Sequence, residues 1–345
     1  NDYLGLRTHP LLAERAALCA QDDGSGSGAS RLVTGTTAQM RMLERRVAAL
    51  KAMPDARFFS SGWQANASLV PALARLSVQE TGAPATIFAD RLMHASLYQG
   101  CAAAGLRPVR FRHNDMAHLA ELLASHKGDG LRIILTESVF SMDGDRADMQ
   151  ALHALAHAHN ALLCVDEAHA TGILGDGGKG LACGLADLVV GTFSKALGGM
   201  GAFVAGSEAA CTWIENTASG FIFSTAPSPL VWGAADAALD LLPGMEEERT
   251  HVATLAQQFR ARMTAGGMDV GPSSTQIVPV VVGAEHEALS LARTVEQAGF
   301  LAVAIRPPTV PPGSCRLRVV FHAHHTTEQM EALATAILAA QNERG

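Results

Sequence analysis

Four short, almost continuously apolar runs, separated by segments of helical period, constrain this chain's fold more than any other feature. They are Ala85-Thr-Ile-Phe-Ala-Asp90, Leu131-Arg-Ile-Ile-Leu-Thr136, Ala161-Leu-Leu-Cys-Val-Asp166 and Asp187-Leu-Val-Val-Gly-Thr192. Strands apolar on both faces are covered on both faces, as in a parallel sheet between helical layers. Helical spacing over 95–104, 115–126 and 148–159 supplies those layers, so the pattern predicts an α/β architecture. Upstream, Met40, Leu43, Val47 and Leu50 mark a helix over 38–52, and Gly24-Ser-Gly-Ser-Gly-Ala-Ser30 before it is a loop. Beyond about residue 240 the texture changes. Helix patterns at 246–265, 285–298 and 327–341 alternate with strand-like runs at 275–282, 301–306 and 316–321. The expected organisation is an N-terminal segment (1–35), a large domain (36–240) and a smaller α+β domain (241–345).

Composition excludes several function classes. The 345 residues are 48% hydrophobic and 17% charged, too apolar for an intrinsically disordered chain. A net charge of −7 argues against general nucleic-acid binding, which needs a clustered cationic surface. No apolar run approaches the roughly 18 residues needed to span a bilayer, so no membrane partner is expected. Six scattered cysteines with no C-x-x-C pair suit a reducing compartment, and a cytoplasmic location is expected. Asn1 is not an initiator Met, so a further segment upstream is expected.

Several tempting motifs have plain structural readings. Gly24–Gly28 is not G-x-G-x-x-G, and Gly175-Asp-Gly-Gly-Lys-Gly180 lacks the spacing and hydroxyl of a P-loop, so both are read as turns. A nicotinamide enzyme would need that missing Gly-rich strand-to-helix fingerprint. His322, His324 and His325, like His153 and His157, are read as structural, and no metal site is expected.

The chemistry lies at two strand ends. Ala161–Val165 delivers Asp166, followed by Glu167 and His169, to the carboxyl end of a strand, where open α/β sheets bind ligands. Asp187–Thr192 runs into Phe193-Ser194-Lys195, and desolvation there would lower the lysine pKa and free its amine for imine chemistry. Pyridoxal phosphate uses such a set: a Schiff-base lysine, a carboxylate for the pyridine nitrogen, a donor near the phenolic oxygen and donors for the phosphate. Lys195, Asp166, His169 and Thr192 fit the side-chain roles. Ser60-Ser-Gly-Trp-Gln-Ala-Asn66 opens a helix whose free amides suit the phosphate.

These segments resemble the α-oxoamine synthase family of pyridoxal-phosphate enzymes. The likeness extends through Asn1-Asp-Tyr-Leu-Gly-Leu6, Asp90-Arg-Leu-Met-His-Ala-Ser-Leu97, Thr136-Glu-Ser-Val-Phe-Ser-Met-Asp-Gly-Asp145, Val165-Asp-Glu-Ala-His-Ala-Thr-Gly172 and Gly191-Thr-Phe-Ser-Lys195, in the family's order. It implies the aspartate aminotransferase-like transferase fold (fold type I), a large mostly parallel-sheet domain with a smaller α+β domain. It also implies a homodimer with shared active sites. Ala304-Ile-Arg-Pro-Pro-Thr-Val-Pro311 and Arg316-Leu-Arg318 are similar to the branch that condenses L-alanine with pimeloyl-CoA or a pimeloyl acyl carrier protein in biotin biosynthesis. The alternative is a sister enzyme, such as one joining glycine to an acetyl thioester.

Residue by residue, the resemblance makes Lys195 the Schiff-base lysine and the base for the α-proton. It pairs Asp166 with the pyridinium nitrogen and puts His169 and Ser141 at the ring oxygen. His94 stacks on the ring and polarises the thioester. The Gly62 and Trp63 amides bind phosphate with Thr192, and Thr225 reaches the neighbouring subunit's phosphate. Arg318 and Asn1 hold the amino-acid carboxylate, with Arg306 and Thr309 near the acyl substrate. Trp63 stands where the family usually has Tyr or Phe, which preserves the contact.

Overall fold

The computed structural model describes residues 1–342. A seven-stranded sheet contains β1 (Asp55–Phe59), β2 (Thr86–Asp90), β3 (Val109–Phe111), β4 (Arg132–Glu137), β5 (Ala161–Asp166), β6 (Leu188–Thr192) and β7 (Ala202–Gly206), in the order β1-β7-β6-β5-β4-β2-β3. The pairs among β2 to β6 are parallel, while β7 runs antiparallel to both of its neighbours, β1 and β6. A three-stranded antiparallel sheet follows, made of β8 (Ile277–Gly283), β9 (Val303–Ile305) and β10 (Cys315–Val320), in the order β8-β10-β9.

The expected apolar runs became the buried strands: β6 is buried at every position, β2 and β4 at every position after the first, and β5 at every position but Leu162. Helices α1 (Pro10–Asp23), α2 (Ala38–Leu50), α3 (Gly62–Thr81), α4 (Ala95–Ala103), α5 (Met116–Ser125) and α6 (Met149–Ala158) precede or interleave with the parallel strands. Then come α7 (Glu208–Thr217), α8 (Ser219–Ile222), α9 (Pro229–Leu241), α10 (Glu246–Ala265), α11 (Glu285–Gln297) and α12 (Thr327–Asn342). No helix among the described residues is long and apolar enough to cross a membrane.

Capping sets where the site-bearing helices begin. Ser61 caps α3, its hydroxyl accepting from the Gln64 N–H at 3.2 Å. Gln64 reaches back to the Ser60 N–H at 2.8 Å and donates to the Gly220 carbonyl of α8 at 2.6 Å. This is a capping box displaced by one residue, and it fixes the angle at which α3 meets the end of β1. His94 caps α4, with Nδ1 accepting from the Ser96 N–H at 3.2 Å. An imidazole expected to face a ligand thus also starts a helix, which restricts its ring.

The Gly175–Gly180 stretch is a turn, as read from the sequence, and it closes tightly on the core. A Cβ on Gly180 would lie 2.0 Å from a Glu167 carboxylate oxygen, so only glycine fits there. Among the histidines read as structural, His325 Nδ1 accepts from the His322 N–H at 3.3 Å, and the two rings lie 3.5 Å apart.

Candidate active site

The carboxyl ends of β2, β4, β5 and β6 open into a pocket of about 1690 Å³ that also touches β9 and β10. Binding sites for single small molecules run to roughly 1,000 Å³, so there is room here for a cofactor and a long substrate together. Its walls include Asn1, His94, Ser141, His169, Lys195, Thr309 and Arg318, seven of the thirteen residues expected from the sequence.

The floor is a chain of hydrogen bonds. Lys195 Nζ lies 2.7 Å from His169 Nε2, and the Tyr3 hydroxyl 2.6 Å from His169 Nδ1. Burial lowers the Lys195 pKa to about 8; Asp166 and Glu137 oppose that fall and Arg318 adds to it. Burial, reinforced by Lys195 and Arg318, holds His169 well below its ordinary value, so the ring is neutral. Burial pushes Tyr3 up to about 12, so its hydroxyl keeps a proton. A neutral ring between these groups has two consistent arrangements. With Lys195 charged, the ammonium donates to Nε2, Nδ1–H donates to Tyr3, and Tyr3 donates to Asn1 Oδ1 at 3.1 Å. With Lys195 neutral, the first two bonds reverse. The relay lets Lys195 change protonation state without leaving a buried atom unpaired.

Asp166 anchors a second network. Its Oδ2 accepts from Asn66 Nδ2 at 2.7 Å and its Oδ1 from the Ala168 N–H at 2.8 Å. Asn66 Nδ2 also meets the Ser96 hydroxyl at 3.0 Å, which lies 2.7 Å from His94 Nδ1. Asp166 and His94 are therefore oriented through one asparagine and one serine. The His94 pKa is lowered by burial, with Asp166 opposing the shift and Lys195 adding to it. The Trp63 ring stands edge-on to His94, centroids 6.3 Å apart.

Across the pocket, Arg318 Nε donates to the Ser141 carbonyl at 2.5 Å and Nη1 to Asn1 Oδ1 at 3.0 Å. Among the described residues, no carboxylate is paired with it. Arg316, two residues earlier, is bound by Asp143 at 2.5 Å and is committed to structure. Ser141 therefore lies where expected, but the contact shown is through its backbone.

The wall beneath Ser141 is braced by His113. Its Nδ1 lies 3.0 Å from Asp90 and its Nε2 2.9 Å from Asp145. Burial pulls this histidine down, but the bonds to Asp145 and Asp90 outweigh it and raise the pKa to about 9. Both ring nitrogens face carboxylates, so both donate and the ring is a cation.

The residues fit pyridoxal phosphate. Within the described residues the Gly62 and Trp63 amides have no hydrogen-bond acceptor, as the first turn of a helix leaves them. A Cβ on Gly62 would come within 4.0 Å of Thr192 Cβ, so the free amides and the Thr192 strand end share one small cradle. The Thr192 hydroxyl is held by the Gly201 carbonyl at 2.9 Å and by Ser194 at 2.7 Å, which leaves Ser194 on the exposed rim. A buried carboxylate with only neutral donors, Asp166, awaits a cation, and a buried lysine amine waits beside it.

Two expected residues lie elsewhere. Arg306 is paired with Glu285 at 2.7 Å on the surface and is not part of the pocket wall, because β9 turns its side chain towards α11. Thr225 is exposed and forms an isolated bridge with Ser30, away from the pocket of its own chain. Tyr3, Asn66, Glu137 and Ser96 were not singled out from the sequence. All four lie in segments that carried the family resemblance, but each is tied into the site by a residue far off in the chain: Tyr3 by His169, Asn66 by Asp166, Ser96 by Asn66 and Glu137 by Asp166.

A model of the class I and II aminotransferases matches residues 1–337. The chain belongs to that family. Among curated relatives, the 8-amino-7-oxononanoate synthase of Gluconacetobacter diazotrophicus is 55% identical, covering 100% of this chain and 87% of its own. That of Geobacter sulfurreducens is 44% identical, covering 100% and 88%. These names bear out the α-oxoamine synthase resemblance. Among solved structures, serine palmitoyltransferase from S. paucimobilis, with bound pyridoxal phosphate and myriocin, superposes with a TM-score of 0.91 at 28% identity. It covers 99% of this chain and 86% of that one. The 8-amino-7-oxononanoate synthase of Francisella tularensis gives 0.84 at 25% identity, covering 99% and 96%. The transferase fold expected from the sequence is the observed one, and pyridoxal phosphate is the cofactor the family and the cradle indicate.

Proposed function

We propose that this aminotransferase-family protein condenses L-alanine with a pimeloyl thioester, carried by coenzyme A or an acyl carrier protein. The products are 8-amino-7-oxononanoate, CO2 and the free thiol. The observation that carries the reading is that one pocket holds a lysine poised near neutrality, Lys195, opposite an arginine, Arg318, that pairs with no carboxylate among the described residues. An amino acid needs both: a base for its α-proton and a fork of two N–H donors for its carboxylate. The identity to relatives of that name supports the choice of acyl donor.

Pyridoxal phosphate, when bound, supplies the aldehyde that binds the amine and the electron sink that makes loss of the α-proton and of CO2 feasible. Asp166 would hold the proton on the ring nitrogen, with Asn66 and the Ala168 N–H keeping the carboxylate oriented. Gly62, Trp63 and Thr192 would receive the phosphate. His169 stays neutral and offers its Nε2 side to the ring oxygen once Lys195 has turned to the aldehyde, with Ser141 beside it. Lys195 Nζ takes the α-proton, and the His169–Tyr3 relay accommodates the change in its charge. His94, neutral and fixed through Ser96, would cover the ring and donate towards the thioester carbonyl. The apolar wall of Val303, Ile305, Pro308 and Val310, with Thr309, would line the acyl chain.

We also place the working unit as a cytoplasmic homodimer. Phe223 is 83% exposed, Val33 74% and Met200 63%. Exposed side chains of this size cost free energy unless covered, and Thr225 beside them would then reach the partner's phosphate. Arg306 would act on the acyl substrate only after leaving Glu285.

The test is product formation by purified protein loaded with pyridoxal phosphate, given L-alanine and either pimeloyl thioester. We expect 8-amino-7-oxononanoate by mass spectrometry, and none with glycine and acetyl-coenzyme A. Turnover of the glycine pair alone would replace this reading with that of a sister enzyme.

A further inference from the structure

Glu137 sits beside Asp166 and has no part in the chemistry described above. The two are in-register partners on the parallel strands β4 and β5, so their side chains leave the sheet on the same face, on strands about 5 Å apart. Glu137 is 3% exposed and Asp166 7%. Glu137 Oε1 has no hydrogen-bond partner among the described residues.

We propose that Glu137 is a positioning residue that keeps its proton, so that Glu137 and Asp166 together carry one negative charge. The functional consequence rests on the reading that Asp166 faces the cofactor's ring nitrogen.

Charge balance in the closed space is the main argument. Two buried carboxylates side by side cannot both ionise without a large electrostatic cost. The cations that face them number one: the Lys195 ammonium without cofactor, or the ring nitrogen with it. Asp90, the other acid near Glu137, is already matched by His113. His94 and His169 are held neutral by burial. Of the two acids, Asp166 takes the charge because it accepts from both Asn66 Nδ2 and the Ala168 N–H. Among the described residues, Glu137 has only the His94 backbone N–H near it. Burial first, and Asp166 second, push the Glu137 pKa well above its ordinary value. An unpartnered carboxyl oxygen in a dry site is unfavourable as a carboxylate and acceptable as an acid whose O–H points at a neighbouring anion. A neutral Glu137 thus steadies Asp166 without adding a second charge that would over-bind the ring cation.

Isotope-edited infrared spectroscopy tests this with no turnover involved. At about pH 8 exposed glutamates are ionised. Wild-type protein, with and without pyridoxal phosphate, should still show a protonated-carboxyl band that shifts on ¹³C-glutamate labelling and not on ¹³C-aspartate labelling. The band should vanish in Glu137→Gln. In Asp166→Asn, with the neighbouring charge gone, it should titrate away at lower pH than in wild type. An amide replaces one neutral donor by another, so Glu137→Gln should bind the cofactor within about threefold of wild type. Absence of the glutamate band in labelled wild-type protein overturns the proposal whether or not the variant folds. A tenfold or larger change in cofactor affinity, or an unchanged titration in Asp166→Asn, does so too. Failure of the condensation assay with the band present would instead count against the proposed function alone.

Discussion

Two buried lysines attend two consecutive carboxylates, and they have opposite fates. Lys51 is fully buried, and its three donors are all satisfied: Glu167 at 2.8 Å, the Thr171 hydroxyl at 2.8 Å and the Lys179 carbonyl at 2.7 Å. Lys195 meets a single histidine nitrogen, and burial, only partly offset by Asp166 and Glu137, leaves its pKa at about 8. Asp166 and Glu167 point to opposite faces of the strand end, so one face is a closed ion pair and the other an open reaction site. A lysine whose donors are all matched holds structure. One left under-matched in a pocket is available for chemistry.

The comparison breaks first at Lys195. Lys195→Ala should lower condensation by on the order of 10⁴-fold or more while leaving thermal stability nearly unchanged. Borohydride reduction of wild-type protein and peptide mapping should place the pyridoxyl group on Lys195. Label on another lysine would remove the basis of the contrast.

Lys51→Met should do the reverse. It strands the Glu167 charge in the core, at a cost of about 3–5 kcal/mol in denaturant unfolding. The fraction that remains folded should turn over at close to the wild-type rate. A stable but inactive Lys51 variant would show that the two faces are coupled.

Arg318→Ala should weaken L-alanine binding by roughly 10- to 100-fold, the worth of a charge-assisted hydrogen bond pair. Calorimetric titration should show pimeloyl-thioester binding largely spared. Arg316→Ala, which frees Asp143, should instead appear as lost stability. Equal effects on both substrates in Arg318→Ala would make that arginine structural as well.

His113 sharpens the comparison through pH. Its folded pKa is raised to about 9 from 6.5, so its contribution to stability is complete below about pH 6.5 and fades as pH rises through about 9. His113→Gln should cost about 2 kcal/mol near pH 6, less than a fully buried pair because the ring is partly solvated, and progressively less as pH rises from about 6.5 to about 9. A pH-independent difference in stability between the two proteins would mean that the wild-type ring is neutral.

Much of this was legible in the chain itself. Apolar runs announced β2, β4, β5 and β6, because strands covered on both faces admit little else. Lys195 and Asp166 were legible because a charged residue at the end of such a run is out of place unless it has work there. Helices α1 and α9 and strand β7 were not. Helices α1 and α9 pack against each other, and β7 is an antiparallel strand inside the sheet between β1 and β6, patterns that periodicity over a short window does not separate from other helical or buried text.

The sequence by itself determined the layer architecture, the strand ends on which the chemistry sits and the residue types that suit pyridoxal phosphate. Those depend on local patterns, which a reader of the chain can see. Only the tertiary structure decided which charges are spent and which are free. Glu167 and Asp166 are adjacent in the chain, yet one is met by Lys51 from α2's end and the other by Asn66 from α3. Arg316 and Arg318 lie on one face of β10, yet Asp143 takes the first and no acid among the described residues takes the second. Arg306, which the resemblance puts near the acyl substrate, is held by Glu285, twenty-one residues before it, at 2.7 Å. Electrostatic partnership is a matter of distance in space, and a linear sequence does not contain it.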